Sequence, residues 1–116
     1  MKKNFIISAA VMLFSAVSYA GPVGGKMLFD DVINPGESRT YRMHLKSDED
    51  VTIFAEASWG GDLDCALLNE EGAILAKDAD TTNICYIKGR INTAKVYVVR
   101  VENNGKYSQF FKLSVE

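Results

Sequence analysis

From Lys26 onward, apolar and polar residues alternate in short runs, the period of a strand with one buried face. The first run, Lys26 to Ile33, is weak and carries Met27, Phe29 and Val32. Asn34-Pro35-Gly36-Glu37 reads as a turn, because Pro presets φ and Gly accepts a positive one. Tyr41, Met43 and Leu45 then alternate with Thr40, Arg42, His44 and Lys46. After the polar turn Ser47-Asp48-Glu49-Asp50, Val51, Ile53, Ala55 and Ala57 alternate with Thr52, Phe54, Glu56 and Ser58. That strand has one apolar face and sets Phe54 on the other.

The middle of the chain is a glycine-hinged loop, Ser58-Trp59-Gly60-Gly61, leading into a strand from Asp62 to Asn69. Leu63, Cys65 and Leu67 lie on one face of it, and Asp62 and Asp64 open the other. Glu70-Glu71-Gly72 turns the chain into a short strand, Ala73 to Lys77, and Asp78 to Asn83 is a polar connection. Ile84 to Ile91 forms a sixth strand that carries Cys85, and Asn92-Thr93-Ala94 a further turn. Val96 to Val101 is β-branched and aromatic almost throughout, which suits a central strand covered on both faces. Asn103-Asn104-Gly105 is a hairpin signal. In the last strand Phe111, Leu113 and Val115 point one way and Phe110, Lys112 and Ser114 the other. No segment here sustains a helical period. About eight short strands predict an all-β fold, an antiparallel, jelly-roll-like β-sandwich.

The first twenty residues read differently. Lys2 and Lys3, the apolar run Phe5 to Val17 and the small-x-small step Ser18-Tyr19-Ala20 have the form of a signal peptide. Residues 1–20 are therefore expected to be removed, residues 21–25 to be a flexible leader, and residues 26–116 to form a single sandwich domain. The apolar run is short for a membrane span, and no later one reaches that length, so no membrane insertion is expected after cleavage. The expected location is periplasmic or secreted. The whole chain has 13 basic and 15 acidic residues, and the leader takes two of the basic ones with it. An acidic mature chain lacks the basic footprint that nucleic acid requires. Cys65 and Cys85 are the only cysteines. An even count in an exported chain predicts a disulfide, with two buried reduced thiols as the alternative.

A family resemblance is carried by Asn34-Pro35-Gly36-Glu37 leading into Tyr41-x-Met43-x-Leu45, then Gly61-Asp62-Leu63-Asp64-Cys65-x-Leu67, Glu71-Gly72, Val96-Tyr97-Val98-Val99-x-Val101 and Phe111-Lys112-Leu113-Ser114-Val115. In this order the motifs resemble the bacterial pre-peptidase C-terminal domain, the small β-sandwich that follows secreted peptidases. The resemblance runs from Phe29 to Val115. It implies a sandwich with an accessory or binding role and does not imply peptidase activity. Two positions depart from it. Ala94-Lys95-Val96 stands where the family often has Gly-Thr-Tyr, and Cys65 stands where it usually has an apolar residue.

Candidate chemistry is sparse. His44 is the only histidine and lies among Arg42 and Lys46 on a polar strand face, so no nucleophile–base–acid arrangement is predicted and the chain is expected not to be an enzyme. Asp62 and Asp64 emerge on one face and fall short of the six to eight oxygens that calcium takes. Asp78 and Asp80 (with Asn83), or Asp30 and Asp31, are the residues that would complete such a site. Calcium is thus the one candidate cofactor, set against a pair of exposed acids that keep a strand soluble. Trp59 in its loop, with Phe54 and Phe110 on nominally polar faces, forms the candidate ligand-binding set. Trp59 has the alternative of folding over a core edge. If the strands of Phe54 and Phe110 are neighbours, their outward faces form an apolar patch. The function expected is a non-catalytic binding module whose partner is an extracellular or envelope protein or a polysaccharide. The alternatives are a structural envelope protein stapled by its disulfide and a small secreted enzyme inhibitor.

Overall fold

The structure is a computed structural model that describes residues 18–20, 26–58 and 60–116. The rest of the expected leader lies outside the described residues, as does Trp59. The strands are β1 (Ser18–Ala20), β2 (Met27–Ile33), β3 (Ser38–Leu45), β4 (Glu49–Ala57), β5 (Leu63–Asn69), β6 (Ile74–Asp78), β7 (Ile84–Ile91), β8 (Lys95–Asn103) and β9 (Gln109–Val115). One sheet has the order β1-β3-β8-β5-β6 and the other the order β2-β9-β4-β7. All pairings are antiparallel except that of β1, which lies parallel to β3. The eight strands read from the alternation are all present, packed as an all-β sandwich. Strand β1 falls on the expected cleavage site.

The inward positions of the two sheets form one core. Ile33, Met43, Ile53, Leu63, Val99 and Phe111 are fully buried in it. Each such side chain contributes about 1.5–3 kcal/mol through removal from water. The central strand expected from Val96 to Val101 is β8, which pairs with β3 and β5. Its outward residues Val96, Val98 and Arg100 are half-buried rather than covered.

Strands β2, β4, β6 and β8 all end at the same end of the sandwich, and their loops to β3, β5, β7 and β9 gather there. Backbone hydrogen bonds tie these loops together: Gly36 N to Asn103 O (2.8 Å), Leu63 N to Thr82 O (2.9 Å) and Asn104 N to Asp62 O (2.9 Å). Gly36 has φ +80°, and Glu37 N donates to Asn34 O, so this is the turn that Pro35-Gly36 predicts. At Gly61 a Cβ would come within 2.9 Å of the Gln109 side chain and 3.1 Å of the Ser58 carbonyl oxygen, so a larger residue there would have to displace the end of Gln109. Asn103 is fully buried at the centre of this end. Its amide donates to the carbonyls of Ile33 (2.9 Å) and Tyr107 (2.8 Å), and its Oδ1 accepts from Gly105 N (2.9 Å).

The two long sides of the sandwich are closed differently. Cys65 on β5 is disulfide-bonded to Cys85 on β7, with Cα atoms 6.1 Å apart, which links the two sheets. On the opposite side, Arg39 of β3 reaches β2. Its Nε donates to Asp31 Oδ2 (3.1 Å), its Nη2 to the Val32 carbonyl (2.8 Å), and it pairs with Glu37 (3.4 Å).

Candidate functional site

Strand alternation that sends Ile53 and Leu113 inward sends Phe54 and Ser114 outward. The register then arranges the outer face of the four-stranded sheet in rows. Leu28 and Phe54 both lie opposite Ser114, and Tyr86 lies opposite Phe54. The next row holds Asp30 and Glu56, both opposite Lys112, with Ile84 opposite Glu56. Beyond it Val32 faces Phe110. Leu28 is 70% exposed, Tyr86 52%, Val32 50% and Phe110 47%, while Phe54 is half-buried between its neighbours. Single exposed apolar residues are ordinary, and the gathering of several on one sheet face makes it the candidate site.

A depression of about 400 Å³ opens in this face, lined by Leu28, Asp30, Phe54, Glu56, Lys112 and Ser114. Its cause is local: Ser114 is a small residue between two large ones. The outer face of the other sheet is mixed: Thr40, Arg42, His44 and Arg100 stand beside Val96, Val98 and Leu68, and Arg42 reaches Glu70 in an ion pair of 2.7 Å.

The acidic residues singled out in the sequence divide into two groups. Asp62 and Asp64 come together at the loop end, where one oxygen of each (Oδ1) is buried with no hydrogen-bond partner among the described residues. The other Asp64 oxygen accepts from the Asn104 amide. Burial raises the Asp64 carboxyl above its ordinary range, with Asp62, Glu102 and Asp78 adding like charge against the Asn104 hydrogen bond. Asp78 Oδ2 accepts from Tyr86 N (2.9 Å), and Asp80 Oδ1 from the amide and hydroxyl of Thr82. Among the described residues, no three His, Cys, Asp or Glu side chains stand together as a metal ion would need. The Asp62–Asp64 pair falls short of a calcium shell.

No protein-family model and no curated protein matches the sequence. Solved structures do match the fold. The pre-peptidase C-terminal domain of a collagenase from Bacillus anthracis aligns with a TM-score of 0.70 at 13% identity, over 87% of this chain and 96% of that one. PliG from Aeromonas hydrophila, a periplasmic lysozyme inhibitor of g-type lysozyme, aligns with a TM-score of 0.60 at 10% identity, over 87% and 96%. PliG from Salmonella Typhimurium, also a periplasmic lysozyme inhibitor of g-type lysozyme, aligns with a TM-score of 0.56 at 12% identity, over 85% and 96%. The chain has the pre-peptidase C-terminal domain fold.

On this fold, Phe54 and Phe110 do share a face, because β4 and β9 are neighbours. They are not direct partners: Phe54 is opposite Ser114 and Phe110 opposite Val32. Sequence reasoning missed Leu28, Val32, Ile84 and Tyr86. In the β2 segment, Met27, Phe29 and Val32 do not keep a single phase, so Leu28 passed unnoticed. Ile84 and Tyr86 alternate with Cys85 and Ile87, and that alternation was the available signal. Tyr107, 72% exposed in the β8–β9 loop, was also missed.

Proposed function

We propose that this chain is an extracytoplasmic, non-catalytic protein-binding module that acts as an inhibitor of a lysozyme-class enzyme. The observation that carries the reading is the set of exposed apolar side chains on the outer face of the β2-β9-β4-β7 sheet, which flank the charged row of Asp30, Lys112 and Glu56. Leu28, Val32 and Ile84 make that face aliphatic as well as aromatic, which suits protein side chains better than the flat ring platforms that grip sugars. The disulfide supports an oxidising compartment. Two structural neighbours are described as periplasmic lysozyme inhibitors, and this sandwich spans 96% of each of them. A fold of this size is therefore sufficient for that activity in those proteins.

The test is a cell-wall clearing assay with g-type and c-type lysozymes, with and without the purified exported protein. Near-stoichiometric inhibition of one class is the expected result. No inhibition and no binding at tens of micromolar protein would leave the sandwich without this role.

A further inference from the structure

The depression on the outer face has a chemical character that narrows what enters it. Leu28 and Phe54 stand on either side of Ser114, two strand spacings apart, or about 10 Å at the backbone. Two large side chains at that separation leave a slot about one side chain wide over the serine. The row beside it places Asp30 and Glu56 on either side of Lys112. Among the described residues, neither carboxylate takes part in an ion pair, nor does Lys112. The rim therefore holds two carboxylates against one ammonium. Two further cations of this face lie outside the depression: Lys26, paired with Glu116, and Lys88, opposite Thr52.

We propose that this depression takes an arginine side chain presented by a protein partner, its stem between Leu28 and Phe54 and its guanidinium on Asp30 and Glu56. The proposal rests on the reading that the partner is a protein. An apolar occupant would strip water from two carboxylates and give nothing in return, which is costly. A second copy of the chain would bring the same excess of negative charge against itself. A cation with an aliphatic stem matches both the slot and its rim. Arginine fits better than lysine, since its planar guanidinium offers five donors to a carboxylate rim and stacks on an aromatic wall such as Phe54.

The test is a two-dimensional NMR titration of the exported protein with N-acetyl-arginine methylamide. N-acetyl-citrulline methylamide, its neutral near-isostere, is the control. Saturable shifts at Leu28, Phe54, Glu56 and Ser114 are expected, weaker by about tenfold or more for citrulline. The double variant Asp30→Asn/Glu56→Gln, at two exposed and near-isosteric positions, should keep the parent's dispersed spectrum and lose the arginine shifts. Equal responses to arginine and citrulline, or shifts that stay linear to about 50 mM, would overturn the proposal. The titration needs no lysozyme. Arginine binding without inhibition of any lysozyme keeps the pocket and removes the inhibitor reading. Inhibition unaffected by the double variant keeps that reading and removes the pocket.

Discussion

Asp64 is held in a position that favours its neutral form. Burial and the nearby Asp62, Glu102 and Asp78 raise its carboxyl above the unfolded value. The folded chain therefore binds this proton at a higher pH than the unfolded chain does, so folding stability falls as pH rises through the folded value. Asp64→Asn keeps an acceptor for Asn104 and removes the charge. It is expected to raise stability at neutral pH by about 0.5 kcal/mol, discounted for the solvent reaching this partly exposed group, or ~3 °C in Tm. Below both carboxyl pKa values the variant and parent should melt together, and a pH series of thermal melts checks this. Asn103 is the opposite case, a buried polar group with its amide and carbonyl engaged. Asn103→Ala leaves the Ile33 and Tyr107 carbonyls and the Gly105 amide without this partner. The expected loss is about 2–3 kcal/mol, read as a fall of the denaturation midpoint in urea at unchanged slope.

At the level of the strands, the outer face of the four-stranded sheet separates stability from function. Tyr86 and Phe110 project from β7 and β9 into solvent, so Tyr86→Ser and Phe110→Ser are each expected to change stability by less than about 1 kcal/mol. If the face binds the partner, each should weaken binding by about tenfold, measured by biolayer interferometry against the inhibited lysozyme. Unchanged affinity in both variants would move the interface elsewhere. The strands themselves were legible from sequence because one face of each packs on the core, and period two then shows directly. Tyr41-x-Met43-x-Leu45 and Phe111-x-Leu113-x-Val115 are such cases, and Pro35-Gly36 marked its turn equally plainly. The proposed binding face was harder to read because it is a property of register. Leu28, Phe54 and Tyr86 lie far apart in sequence and become one row only when β9 is placed between β2 and β4. Asp62 and Asp64 lie close to one another, while Asp78 and Asp80 turn to Tyr86 and Thr82 through contacts that spacing does not reveal.

Across the whole molecule, the sandwich is held unequally along its two sides, and this asymmetry reaches the proposed binding face. The Cys65–Cys85 side is covalent. Closing a loop of that length restricts the unfolded chain by roughly 3 kcal/mol in the entropy model. The β2–β3 side depends on Arg39, which joins Asp31, Glu37 and the Val32 carbonyl. Strand β2 is an edge strand paired only with β9, and most of its residues are exposed. It is therefore the part expected to open first. Arg39→Met keeps the aliphatic stem and removes the charged hydrogen bonds, at an expected cost of about 1 kcal/mol. In hydrogen exchange the paired amides of β2 should lose protection while those of β8 keep theirs; equal loss in both strands would mean that Arg39 supports the fold as a whole. Acidification should act in the same direction. The Asn34 amide and Arg39 hold the Glu37 carboxyl below its ordinary range, so its stabilisation is present above the unfolded value and is lost as pH falls through the folded one. Leu28 and Asp30 sit on β2 and form one wall of the depression. Loosening this strand at Arg39, on the opposite side of the sheet from the bound side chain, should therefore weaken arginine binding without altering any residue that lines the depression.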